Sequence, residues 1–149
     1  MKKFLFLSMF VLALASCGSL DTKSQSGLKG NWTITSVTYP SSDYIKVTSF
    51  DIADSKCFEG STWNFVSMSN KGTMSLTKAG CPAFSSPIVW TITKDGTFTL
   101  KITEGEKAKR VTEGYFLKVR NQTESSFELV DNVSVGGKNT EVVYQFSKM

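Results

Sequence analysis

The chain has 149 residues, 40% of them hydrophobic, with 17 Lys+Arg against 13 Asp+Glu and no histidine. That is enough chain for one domain with a genuine core, and too little positive charge for nucleic-acid binding. Without histidine, a zinc site or a Cys-His nucleophile has nothing to build on.

The N-terminus reads as a leader. Met1-Lys2-Lys3 gives a positive start, Phe4 to Ala13 an apolar run, and Leu14-Ala15-Ser16 stand directly before Cys17. A membrane-spanning helix needs about 20 apolar residues, more than this run supplies. An ordinary secretory leader cut after Ala13-Leu14-Ala15 is the rival reading, but a cysteine in register behind small residues favours a bacterial lipoprotein signal. Residues 1–16 are then the signal peptide and Cys17 the lipidated residue. Two or three acyl chains anchor stably where one does so marginally. Gly18 supplies no aspartate to retain the protein at an inner membrane, so an outer-membrane, cell-envelope location is expected. Losing Lys2 and Lys3 takes the formal charge from +4 to +2.

Residues 17–27 are rich in Ser, Gly and Thr without apolar periodicity and read as a flexible tether reaching roughly 20 Å. The domain proper is residues 28–149. From Gly30 onward apolar residues alternate with Thr, Ser and Lys, the pattern of strands wetted on one face. Ile88, Trp90 and Ile92 share one parity, as do Phe98, Leu100 and Ile102. Eight strands are predicted, at 30–38, 62–68, 72–78, 87–94, 96–103, 111–119, 125–131 and 139–147. Asp51 to Phe58 is the one short helix expected.

Asn70-Lys71-Gly72, Lys94-Asp95-Gly96 and Asn121 to Glu124 carry the residues that tight hairpin turns require. The other connections, 39–61, 79–86, 104–110 and 132–138, read as longer loops. In an up-and-down meander the tight turns fall at one end and the long loops at the other. The reading is an all-β fold, an eight-stranded antiparallel up-and-down barrel, in preference to a sandwich with crossovers. Cys57 and Cys81 fall in two of the long connections, at the same end, and are expected to be bridged in an oxidising compartment. Lys107-Ala108-Lys109-Arg110, the sole basic cluster, reads as a solvated loop in preference to a lipid-headgroup contact.

At Gly30-Asn31-Trp32, on the first strand of this meander, the chain resembles a lipocalin, and in particular the lipocalin-like lipoproteins of bacteria. The resemblance is carried by Cys57-Phe58-Glu59-Gly60-Ser61-Thr62-Trp63, Gly72 to Leu76, Cys81, Ile88 to Ile92, Gly114 to Leu117 and Tyr144 to Phe146. It extends from Leu28 to the end. It departs where the family places an arginine over the first-strand tryptophan, since here only Lys148 is in reach of Trp32. The resemblance implies binding of a small hydrophobic ligand; separately, no cofactor is expected.

The inward set comprises Trp63, Phe65, Trp90, Phe98, Tyr115, Phe127, Tyr144 and Phe146. Either these rings fill the barrel, or those near the mouth line an apolar cavity with a few polar handles. On the second reading the ligand residues are Trp63, Phe65, Trp90, Phe98, Glu113, Tyr115, Phe127 and Tyr144, with Glu113 at the rim. Trp32 plugs the closed end and is excluded. No carboxylate pair, phosphate loop or nucleophile elbow supports catalysis, so the protein reads as a non-enzyme. It is expected to be a monomer attached to the membrane through Cys17. The alternative is a non-catalytic envelope interaction protein or inhibitor that presents the long loops to an envelope protein partner.

Cys17→Ser should release the domain from membranes or leave the precursor uncleaved, as read by fractionation and gel migration. Wild-type behaviour of that variant would refute the lipoprotein reading.

Overall fold

The computed structural model describes residues 19–41, 45–104 and 114–149. The leader, Cys17, Glu113, the 107–110 cluster and the start of the predicted sixth strand lie outside the described residues. Eight strands form one closed antiparallel barrel: β1 (Gly30–Thr38), β4 (Thr62–Val66), β5 (Lys71–Leu76), β6 (Phe84–Ile92), β7 (Thr97–Ile102), β8 (Tyr115–Arg120), β9 (Ser126–Val135) and β10 (Lys138–Lys148). Each pairs with its neighbour in sequence, and β1 closes the ring between β4 and β10. The alternation works as read: Ile88, Trp90 and Ile92 are buried while Pro87 and Val89 are exposed. Gly72 is dictated by packing, because a Cβ there would lie 2.0 Å from the carbonyl oxygen of Asn64 on β4.

Inside the long β1–β4 connection, β2 (Thr48–Ser49) and β3 (Ala53–Asp54) form a two-residue ladder, and Ser55–Phe58 is a single 3-10 turn. The helix expected over Asp51 to Phe58 is therefore confined to its second half. Asp51 and Ile52 lie in the hairpin turn, Ala53 and Asp54 pair as β3, and the Asp54 carboxylate caps the 3-10 turn by accepting from the Lys56 N–H at 2.9 Å. Cys57 and Cys81 are bridged, with Cα atoms 5.8 Å apart. The bond ties this connection to the β5–β6 loop at the open end. Closing a loop with a sequence separation of 24 contributes about 3–4 kcal/mol in the chain-entropy picture.

Two expectations are corrected. The loop read over 132–138 is a hairpin whose only turn residues are Gly136-Gly137, with φ of 57° and 81°, the positive φ that a two-residue hairpin turn demands. The ladder runs unbroken from Ser126↔Ser147 to Val135↔Lys138. The polar residues Asn132 and Ser134 belong to the exposed face of these long strands.

The second correction concerns the tether. Thr22–Gly27 is a helix, α1, and the chain from Ser19 onward is bonded to the barrel. Asp21 caps α1, accepting from the Ser24 N–H at 3.0 Å and the Ser24 hydroxyl at 2.7 Å. Those bonds hold its carboxyl below the ordinary aspartate range. Gln25 is buried and its side-chain oxygen accepts from the Ile92 N–H at 3.0 Å, while Gln122 donates to the Ser24 carbonyl at 3.0 Å. The composition looks tether-like because these contacts, and not helix propensity, hold so short a helix.

Trp32 is fully buried at this closed end, as the topology requires. Its indole N–H donates to the Leu28 carbonyl at 2.8 Å and its ring meets Phe127 edge-on at 4.8 Å. Lys148 is its β10 partner, with Nζ 5.4 Å from the ring centroid.

Trp32→Ala should cost about 3–5 kcal/mol in urea unfolding under non-reducing conditions, whereas Lys148→Ala should cost no more than about 1 kcal/mol. Equal losses for the two would mean that the indole does not plug the closed end.

Candidate functional site

The rings of the barrel fall into two groups. In the larger one Phe127 stacks on Phe146 at 4.5 Å, Trp63 meets Phe146 at 5.6 Å, and Phe65 meets Trp90 at 5.1 Å and Phe98 at 6.0 Å. All six are at most 2% exposed. The polar ends of the two tryptophans are spoken for: Trp63 donates to the Ser61 hydroxyl at 2.9 Å and Trp90 to the Lys71 carbonyl at 2.9 Å. Neither indole presents a donor to a guest. Five of the expected ligand residues (Trp63, Phe65, Trp90, Phe98 and Phe127) thus pack against one another.

The remaining two described members, Tyr115 and Tyr144, belong to a second group at the mouth. There the β2–β3 hairpin inserts its tip. Phe50 is 5% exposed, stacks on Tyr144 at 5.6 Å, and meets Phe58 and Tyr115 edge-on at 5.4 and 5.2 Å. The strap from Val47 to Phe58 therefore carries an aromatic plug into the top of the barrel. Ser49 hydrogen-bonds the Tyr144 hydroxyl. Burial pushes the Tyr144 phenol far above its ordinary value, so it remains a neutral hydrogen-bonding group across the physiological range. Tyr39 is raised in the same direction, again mainly by burial, and bonds Ser55 beneath the strap.

The plug is held at a conformational cost. Phe50 and Asp51 have φ of 54° and 53°, a left-handed conformation that a bulky residue such as Phe rarely adopts. Two such residues store about 1–3 kcal/mol each. The Ile52 N–H to Ser49 carbonyl bond at 3.0 Å and the Ser55 N–H to Val47 carbonyl bond at 2.7 Å close the hairpin around them. Beside the plug a polar cleft of about 300 Å³ opens on the rim, lined by Phe50, Asp51, Tyr115, Phe116, Asp131 and Asn132 among others. Tyr115 donates to the Asp51 carboxylate across it at 3.4 Å. A wider groove of about 470 Å³ lies over β4 to β6, lined mainly by the hydroxyl and amide side chains of their outer face.

Phe50 and Ser49 were not in the expected site. The only local signal was an aromatic residue standing alone among Lys46, Thr48, Ser49 and Asp51. Among the described residues, no cluster of three His, Cys, Asp or Glu side chains is placed to hold a metal ion.

Comparison with known proteins agrees with this architecture. In fold, the chain is similar to a crystal structure of a lipocalin-like protein from Bacteroides uniformis, with 14% identity, a TM-score of 0.51, and coverage of 83% of this chain and 99% of that one. It is also similar to a crystal structure of an uncharacterized protein from Bacteroides eggerthii, with 13% identity, a TM-score of 0.50, and coverage of 82% and 99%. No curated protein matches the sequence. The profile of a lipocalin-like domain matches residues 28–129. With most of the barrel inside that match, the chain belongs to the lipocalin-like domain family.

Proposed function

We propose that the protein is a lipid-anchored lipocalin-like lipoprotein of the bacterial envelope, acylated at Cys17, that binds a small hydrophobic ligand in the upper barrel where Phe50 sits. One observation carries the ligand site. A ring from a strained loop, and not from a strand, fills the apolar slot bounded by Tyr144, Phe58 and Tyr115. Burying a phenylalanine side chain is worth about 1.5–3 kcal/mol, comparable to the strain stored beside it. A ligand that replaces Phe50 therefore has only a small margin to overcome. The slot suits a compact apolar group, ring-sized, with one polar atom able to share the hydrogen bond between Tyr144 and Ser49. The rings below remain as a packed floor. With no histidine and a phenol that stays neutral, the site favours holding a ligand over transforming one.

The alternative, an interaction protein or inhibitor working through its open-end loops, has less support. The 132–138 segment is a hairpin with a two-residue turn. Among the described residues, Phe116 is the one large apolar side chain exposed at that end.

The test is calorimetric titration with para-cresol, a single ring with one hydroxyl, using a soluble form beginning at Gly18 and its Phe50→Ala variant. Removing the plug should tighten binding at least about tenfold, equivalent to roughly 1.4 kcal/mol, at one probe per protein. A folded Phe50→Ala variant that binds no probe would overturn the proposed site.

A further inference from the structure

We infer that the closed end of the barrel is itself a membrane contact surface, seated directly on anionic phospholipid headgroups with the mouth held outward. This rests on the acylation of Cys17 proposed above and goes beyond it. A lipid anchor on a flexible tether would leave the domain free to tumble, whereas the geometry here leaves almost no tether.

The chain is pinned to the barrel from Ser19 onward. The Ser19 carbonyl accepts from the Lys94 N–H at 3.0 Å, Leu20 bridges Thr93, and the Asp21 N–H donates to the Ile92 carbonyl at 2.8 Å. These contacts fix the entry point on the β6–β7 turn, at the same end as the β4–β5 and β8–β9 turns. Only two residue steps separate Cys17 from Ser19, a span of at most about 7 Å. Acyl chains enter hydrocarbon immediately beyond the cysteine, and the polar headgroup layer is itself about 5–8 Å deep on each side. The β6–β7 turn must then ride at headgroup level.

The surface presented there suits that position. Leu20 and Met68 stand 47% and 95% exposed at the closed end, apolar tips of the kind that enter an interfacial layer. Lys23, Lys29, Lys71 and Lys94 are exposed around them, and long lysine stems can reach headgroup phosphates while their charges stay wet. Of the nearby carboxylates, Asp21 is engaged in capping α1 and Asp95 accepts from Thr93 and Thr97 within its own turn. Both stay anionic and, with Glu124 on the β8–β9 turn, oppose these lysines, which Lys118 and Lys148, also exposed at this end, bring into excess.

The experiment is lysine acetylation footprinting by mass spectrometry. The acylated full-length mature protein, in vesicles of phosphatidylethanolamine and phosphatidylglycerol, is compared with the soluble form beginning at Gly18. Acetylation of Lys23, Lys29 and Lys94 should slow about fivefold or more on vesicles, while Lys46 and Lys138 at the open end keep their soluble rates. The doubly substituted variant Met68→Asp, Lys94→Glu, altered only at exposed positions, should keep its anchor but bring Lys23 and Lys29 to within about twofold of the soluble form. The mass of the N-terminal peptide reports acylation separately. An acylated protein with no slowing, with equal slowing at both ends, or with protection that survives the double substitution overturns the seating and leaves the anchor standing. An unacylated Cys17 overturns the anchor, and the seating with it.

Discussion

The contact between Phe127 and Phe146, stacked at 4.5 Å low in the barrel just above Trp32, is the centre from which the other packing follows. An eight-stranded barrel encloses room for side chains or for one small ligand. Once Trp63, Phe65, Trp90 and Phe98 gather around that pair, the lower interior is committed to its own rings. Trp32 and α1 then finish the floor from beneath, through the indole bond to Leu28 and the Gln25 bond to Ile92. Whatever freedom the interior retains is displaced upward, to the slot bounded by Tyr144, Phe58 and Tyr115.

The disulfide shapes how that freedom is used. Cys57 adjoins Phe58 at one foot of the strap, and the bond to Cys81 fixes this foot to the β5–β6 loop. The Phe50 tip lies at the far end of a two-residue ladder and carries two left-handed residues. On the proposed reading, motion is directed to the tip, with one foot stapled to the barrel. On that reading a solid floor and a strained, stapled strap divide stability from binding along the barrel axis, the usual separation between a core and low-stability segments.

Much of the fold was legible because it rests on period-two alternation. Ile88-Trp90-Ile92 and Phe98-Leu100-Ile102 announce their inward face locally, and a meander then places Trp32 beside Lys148 by geometry alone. The hairpin at Gly136-Gly137 was harder, because Asn132 and Ser134 look like loop residues when they occupy the wet face of a long strand. Asp21 with Ser24 three residues on was a genuine helix-start signal, but Thr22–Gly27 is too short to form alone and carries no apolar stripe. Bonds to Ile92 and Gln122, distant in sequence, hold α1 in place. The site was the least legible part. Parity identifies which rings point inward without saying which of them meet each other. Phe50 enters through contacts with Tyr144 and Tyr115, which lie far along the chain.

Native-state hydrogen exchange of the disulfide-intact protein tests most directly whether the strap is the moving part and the ringed barrel the fixed one. The Ile52 and Ser55 amides, bonded within the strap, should open at least about 2 kcal/mol more easily than the central amides of β6, β9 and β10. Exchange of those strap amides only through global unfolding, at the same free energy as the barrel, would contradict the account.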